Sequence, residues 1–141
     1  MSDHHVDTQA SLTERANAWL DEDPDPDTRA ELRSLLERVE SGDPESAAQL
    51  ADAFLTPLQF CTAGLRGRLG PGPNRMNRVV VIRAAAGLAS YLRGTAHRQG
   101  GGSVVIGYDA RHKSAEFARD TAAVLGGAGF DALLLPRPLP T

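Results

Sequence analysis

Between residues 104 and 135 an apolar run, a helix-length amphipathic segment and a second apolar run succeed one another. That order leaves the chain little topological choice. Val104 to Ile106 reads as a buried-type strand. Ser114 caps a helix through about Leu125, stopped by Gly126 and Gly127, and Ala132 to Leu135 is the next strand. Strand, helix and strand at this spacing form a βαβ unit, so parallel pairing with a right-handed crossover is expected. A further helix, roughly Arg78 to Arg93, precedes it and is apolar almost all round, which predicts burial on more than one side. Gly94 is read as its cap, and Arg98 to Gly102 as a flexible turn.

Residues 1–57 have a different grammar, that of amphipathic helices. Ser11 to Glu14 reads as a capping box, with Leu12, Ala16, Trp19 and Leu20 on one face. Asp27 or Thr28 is expected to cap a second helix, whose Leu32, Leu35, Leu36 and Val39 share a stripe and which Gly42 stops. Asp43 and Pro44 supply an N-cap and a first-turn proline for a third helix carrying Leu50 and Phe54. Three such stripes cannot be buried alone, so these helices are expected to dock on the C-terminal region of the chain. Leu58 to Thr62 is a short extended run, and Ala63 to Asn77 a loop.

Composition narrows the function classes. The chain has 15 Lys and Arg against 18 Asp and Glu, a net charge of −3. That gives no support to a nucleic-acid binder, which carries a basic face. No apolar run reaches the roughly 20 residues of a membrane span, and the N-terminus lacks the basic and apolar regions of a signal peptide. The single cysteine, Cys61, excludes an internal disulfide framework and a Cys-rich zinc site. A cytoplasmic location is expected.

The strongest chemical candidate is the loop from Thr62 to Arg75. Gly64, Gly67, Gly70 and Gly72 permit tight turns, and Arg66, Arg68 and Arg75 add fork-shaped donors suited to phosphate oxygens. It is read either as an anion site or as a mobile loop with solvated arginines. It matches neither of the common nucleotide-binding glycine patterns. Asp109, Arg111, His112 and Lys113 come after the first strand of the βαβ unit, where parallel sheets bind ligands. There Asp109 is equally read as a partner of Arg111 or of turn amides. Asp21, Asp23 and Asp25 resemble the opening of a calcium loop, but Pro26 and Leu32 stand where glycine and glutamate belong, so a solvated linker is expected. His4 and His5 sit in a tail read as disordered, where no metal role is expected, and His97 lies near a Gly-rich turn with no partner in the sequence. Cys61 is read either as a thiol activated by the arginines or as a small buried apolar residue.

Four blocks in order carry a resemblance: Phe60 to Gly67, Gly70 to Asn77, Val105 to Ser114, and Leu135 to Thr141. Together they resemble the first domain of the α-D-phosphohexomutases, the phosphoglucomutases and phosphomannomutases, in the branch with a helical N-terminal extension. The resemblance implies an α/β fold: a βαβ-type three-layer α/β/α domain, incomplete over 58–141, preceded by the helical extension 1–57. It implies an isomerase of carbohydrate metabolism that moves a phosphoryl group between C1 and C6 of a hexose phosphate. Such enzymes use a phosphorylated serine, magnesium and glucose 1,6-bisphosphate.

By the same resemblance Arg66 takes the place of the active-site arginine near the phosphoserine. Arg68 and Arg75 add phosphate-binding charge, Gly64 and Gly67 shape the loop, and Asp109 and Arg111 brace the catalytic loop. The family's phosphoserine loop, its Asp-Gly-Asp metal loop, its sugar-specifying Gly-Glu-x-Ser loop and its last phosphate loop have no counterpart here. The chain is therefore expected to be a truncated mutase, catalytically inactive, with no catalytic residue or metal ligand and no bound cofactor. The alternative is a non-catalytic phosphate- or sugar-phosphate-binding module. Sugar phosphates are its expected partners, with no nucleic acid and no membrane, and an unpaired sheet edge is expected to promote self-association. Cys61 replaces the family's usual glycine, which would strain the backbone if φ were positive there.

Overall fold

A computed structural model describes residues 3–95 and 102–140. The side chains of His4 and His5, all of His97, residues 98–101 of the expected turn, and Thr141 lie outside the described residues. The chain divides into two compact units, Met1–Asn77 and Arg78–Thr141.

The first unit is built on three helices: α1 (Asp3–Glu22), α2 (Pro26–Glu40) and α3 (Pro44–Phe54). The expected stripes meet in one core, with Leu12, Ala16, Trp19, Leu32, Leu35, Leu36, Leu50 and Phe54 all buried, so the three helices do bury their stripes against one another, which the sequence was not expected to allow. Trp19 and Phe54 pack edge to face, ring centroids 5.9 Å apart. Arg15 of α1 donates to the Phe54 carbonyl, placing a cation at the C-terminal end of α3, where the helix dipole favours it. Asp43 caps α3 as expected, accepting from the amides of Glu45 and Ser46.

Two helix starts differ from expectation. Ser11 and Glu14 lie inside α1, which begins at Asp3, so they form no capping box. The N-cap of α2 is Asp25, with Pro26 at the first helical position, so Asp27 and Thr28 are already inside the helix. The acidic run is correspondingly no solvated linker. Asp23 and Asp25 are both 3% exposed. Asp23 accepts from the Asp25 amide at 3.0 Å and from the Thr28 hydroxyl at 2.6 Å, and Asp25 accepts from the Asp27 amide at 3.0 Å. The carboxylates are thus spent on the amides and hydroxyl of the helix start, which would otherwise be orphaned.

The second unit comprises α4 (Arg78–Thr95), β3 (Ser103–Ile106), α5 (Ser114–Gly127) and β4 (Asp131–Leu134). The first two strands, β1 (Phe60–Cys61) and β2 (Gly64–Leu65), belong to the first unit. β3 and β4 pair in parallel, Ser103 opposite Asp131 through Ile106 opposite Leu134, which is the expected βαβ unit. Its core gathers Ala89, Ile106, Ala118, Leu125 and Phe130, with Val104 and Ala132 packed against it. That is one face of the sheet. On the other, Val105 is 65% and Leu133 52% exposed, so β3 is half covered rather than buried.

α4 is likewise covered along one stripe only: Val79, Ala85 and Ala89 are buried, while Leu88 and Tyr91 are exposed. Gly94 lies within α4 and does not cap it. Nor does Ser114 cap α5: the N-cap is Lys113, at φ 64°, and Ser114 is the first helical residue. α5 ends at Gly127, and the left-handed turn beyond it falls on Gly129 at φ 93°. Among the described residues no helix is long and apolar enough to cross a membrane.

Candidate functional site

The arginine loop begins as a hairpin. β1 and β2 pair antiparallel, Phe60 with Leu65 and Cys61 with Gly64, around a two-residue connection. Gly64 sits at φ 97°, a conformation that L side chains rarely adopt. Cys61 is exposed, not a buried apolar residue, and its thiol donates to the Gly64 carbonyl at 3.0 Å. Lys113 is the one non-glycine residue with positive φ among those described, so the cysteine at 61 introduces no such strain. A Cβ at Gly67 would stand 2.7 Å from Leu58 Cδ2, so the glycine admits that side chain against the loop.

Beyond the hairpin the loop returns along its own first arm and rests on α3. Met76 N–H donates to the Arg68 carbonyl at 2.8 Å, and Gly70 N–H to the Met76 carbonyl at 3.3 Å. Asn74 N–H donates to the Ala53 carbonyl at 3.0 Å, and Leu58 N–H to the Pro73 carbonyl at 2.9 Å. The side-chain amide of Asn74 reaches the Asp52 carbonyl at 2.8 Å. These bonds tie the loop to its own first arm and to α3.

The three arginines part company here. Arg75 pairs with the Asp52 carboxylate and donates to the Asn74 carbonyl at 3.0 Å, its side chain only 15% exposed. Its fork is thus engaged in holding the loop to α3. Arg66 and Arg68 are exposed and, among the described residues, make no side-chain hydrogen bond or ion pair. They remain as the open cations of the loop. Asn77, the last residue of the Gly70 to Asn77 block and given no role by the sequence, is 2% exposed and lies within hydrogen-bonding distance of three loop carbonyls.

Asp109 and Arg111 belong to the second unit, in the turn between β3 and α5. The Arg111 amide donates to Asp109 Oδ1 at 3.0 Å and its guanidinium Nε to Oδ2 at 2.6 Å, so both local pairings named for Asp109 occur together. The Arg111 amide, with the Ser114 hydroxyl and the Arg111 guanidinium behind it, holds the Asp109 carboxyl below its ordinary value. The carboxylate therefore stays ionised and locks the turn. Leu139 N–H donates to the Tyr108 carbonyl at 2.8 Å, tying the C-terminal segment to the same turn.

Among the described residues no group of three or more His, Cys, Asp or Glu side chains converges to hold a metal ion. An open groove of about 840 Å³ lies between α1, α2 and α3, but its lining contains no arginine or lysine and does contain Glu14, Glu40 and Asp43, which disfavour an anion.

Known proteins resemble the chain along most of its length. The family described as phosphoglucomutase/phosphomannomutase, alpha/beta/alpha domain I, matches residues 57–141. A probable phosphoribomutase of Schizosaccharomyces pombe is 40% identical over 119 residues, 84% of this chain and 19% of its own length. That span is longer than residues 57–141, so the match reaches back into the helical segment. A probable phosphomannomutase of Haemophilus influenzae is 58% identical over 66 residues, 47% of this chain and 13% of its own. A phosphoglucomutase of Staphylococcus haemolyticus is 43% identical over 81 residues, 57% of this chain and 14% of its own. The chain thus spans less than a fifth of each of these relatives. No solved structure matches it.

Proposed function

The chain belongs to the phosphoglucomutase/phosphomannomutase family, through its α/β/α domain I, and from that premise we propose that its arginine loop binds the phosphate of a sugar phosphate. The observation that carries this reading is the division among the arginines. One fixes the loop to α3, while Arg66 and Arg68 face outward on a backbone held by its own hydrogen bonds. A guanidinium presents a planar fork that matches two phosphate oxygens, and holding it on an ordered backbone lowers the entropy lost on binding. Arg66 lies in the Thr62 to Gly67 block and is the principal contact; Arg68 assists. Asp109 and Arg111 brace the second unit's turn.

In a longer protein of this family, the same loop would serve phosphoryl transfer between two positions of a sugar phosphate, with magnesium supplied by segments other than these. The 141 residues alone bind and do not turn over. No serine among them lies in a phosphoserine-loop context, and among the described residues the side chains gather no metal site. A cytoplasmic setting goes with this reading, since an exposed free thiol at Cys61 persists in a reducing compartment.

The test is a phosphate titration of the purified chain at low ionic strength, monitored by amide and arginine Nε–H resonances. Arg66→Ala lowers affinity about tenfold, as loss of a charge-assisted bidentate contact does. Arg68→Ala lowers it about threefold, the scale of an exposed ion pair. No isomerisation of glucose 1-phosphate accompanies binding, even with magnesium and glucose 1,6-bisphosphate added. Equal losses in the two variants would reduce the site to general charge, and measurable turnover would refute the binding-only reading.

The bare face of the β3–β4 sheet bears on the oligomeric state. Val105 and Leu133 are exposed side by side, and each strand has one partner among the described residues. Exposed apolar sheet surface with open edges promotes association, so the chain self-associates as its concentration rises. Val105→Lys places a charge on that face without entering the core and should restore a monodisperse monomer in sizing experiments. A wild-type chain that stays monomeric at every concentration would contradict this.

A further inference from the structure

We propose that Asn77 is a positioning residue for the anion site, holding Arg68 in place through the return arm of the loop. This rests on the phosphate-binding reading of that loop. The Asn77 amide nitrogen lies 2.9 Å from the Gly70 carbonyl, 2.8 Å from the Gly72 carbonyl and 3.3 Å from the Arg75 carbonyl. A side-chain amide has only two N–H donors, so one donor is shared among these contacts. All three acceptors belong to the same six-residue turn.

Turns of this kind carry carbonyls that repel one another unless a donor stands between them. Gly70 and Gly72 have φ of 148° and 102°, so the turn leaves the backbone conformations of regular structure, and both of their carbonyls accept from the Asn77 amide. Asn77 supplies the donor from inside, shielded from water at 2% exposure, where a hydrogen bond is stronger and its absence more costly. The residue before it, Met76, then meets the first arm. Its N–H holds the Arg68 carbonyl at 2.8 Å, its carbonyl receives the Gly70 N–H at 3.3 Å, and Leu69 bridges to it. Asn77 therefore fixes Met76, and Met76 fixes the backbone of Arg68. Neither Asn77 nor Met76 need touch the anion.

A double-mutant cycle separates positioning from general stability. Phosphate affinity is measured for the wild type, Asn77→Ala, Arg68→Ala and the double variant, with the fluorescence of Trp19 reporting that the helical core is folded. Asn77→Ala is expected to weaken phosphate binding about threefold, as far as losing an exposed ion pair does. In the Arg68→Ala background the same substitution should change affinity by less than about 1.5-fold, since the contact it positions is already gone. Equal losses in the two backgrounds, or no loss in a folded Asn77→Ala chain, would overturn the inference. If Asn77→Ala loses the Trp19 signal, Asn77→Ser, which keeps one donor, is read by the same cycle. A wild type whose phosphate binding is indifferent to Arg66→Ala would instead overturn the binding reading, whatever Asn77 does.

Discussion

An alanine at position 72 is expected to destabilise the Met1–Asn77 unit by about 3 kcal/mol, near the upper end of single-residue effects. Two costs combine. Gly72 sits at φ 102°, and a side chain there strains the backbone by about 1–2 kcal/mol. Its Cβ would also stand 2.7 Å from the Ala53 carbonyl oxygen and 3.0 Å from the Phe54 ring. The first is backbone at the end of α3, and the second is 1% exposed and packs against Trp19, so neither has room to yield. Overpacking of this kind costs about 1–3 kcal/mol more. Gly42 provides the control. It has φ 86° but nothing within 4 Å of an added Cβ, so Gly42→Ala incurs the backbone cost alone. Urea unfolding monitored by Trp19 fluorescence should give a much lower midpoint for Gly72→Ala than for Gly42→Ala. Equal midpoints would show that the contact with α3 is not rigid.

The N-terminal helices were readable in the sequence through periodicity and the βαβ unit through the order of its apolar runs, and both signals survive without tertiary information. Leu32, Leu35 and Leu36 fall on their inner face by spacing alone, whereas the unbroken run Val104 to Ile106 marked a strand without showing that Val105 turns away from the core. Helix starts were less legible because several residues compete for one cap. Asp25, Asp27 and Thr28 all favour that role, and it falls to the residue before Pro26, whose fixed φ suits the first helical turn. Asp23 and Asp25 read as solvated because composition cannot show that a carboxylate two residues from an amide folds back onto it. The close approach of Gly72 to Ala53 and Phe54 was hidden for a similar reason: a glycine in a loop shows no sign of the helix it must pass.

In the arginine loop, spacing located the anion donors but treated Arg66, Arg68 and Arg75 alike. Only Asp52, more than twenty residues earlier in the chain, separates the arginine that builds the loop from the two that face outward. The two-residue strands β1 and β2 are too short to leave a periodic signal, and Asn77 acts through carbonyls that any residue possesses. The structural arginine and the structural asparagine are thus long-range or backbone-directed, which is why they escape a local reading.

Arg78 and Asp120 form the second such long-range pair, and breaking it should have the other large effect. Arg78 opens α4, where the helix dipole disfavours a cation, so the helix itself gives no reason for an arginine there. The reason is α5. Arg78 Nε and Nη2 each donate to an Asp120 carboxylate oxygen at 2.7 Å, a two-pronged contact across 42 residues of sequence. The Asp120 side chain is 11% exposed and that of Arg78 28%. Removing the arginine leaves a nearly buried carboxylate beside two packed helices, whereas removing both charges leaves apolar surface that can pack. Breaking a fully buried pair costs about 3–5 kcal/mol. With the discount for Arg78's partial exposure, Arg78→Ala should cost the Arg78–Thr141 unit about 2–3 kcal/mol. Arg78→Met combined with Asp120→Leu should recover most of that. Amide exchange at Ile106 and Leu125, both in the core that α4 and α5 share with the sheet, reads the stability of this unit separately from the helical one. Faster exchange in Arg78→Ala and near-normal exchange in the double variant are expected. If both exchange equally fast, the guanidinium's own packing along α4 and α5, and not its charge, is what joins the helices.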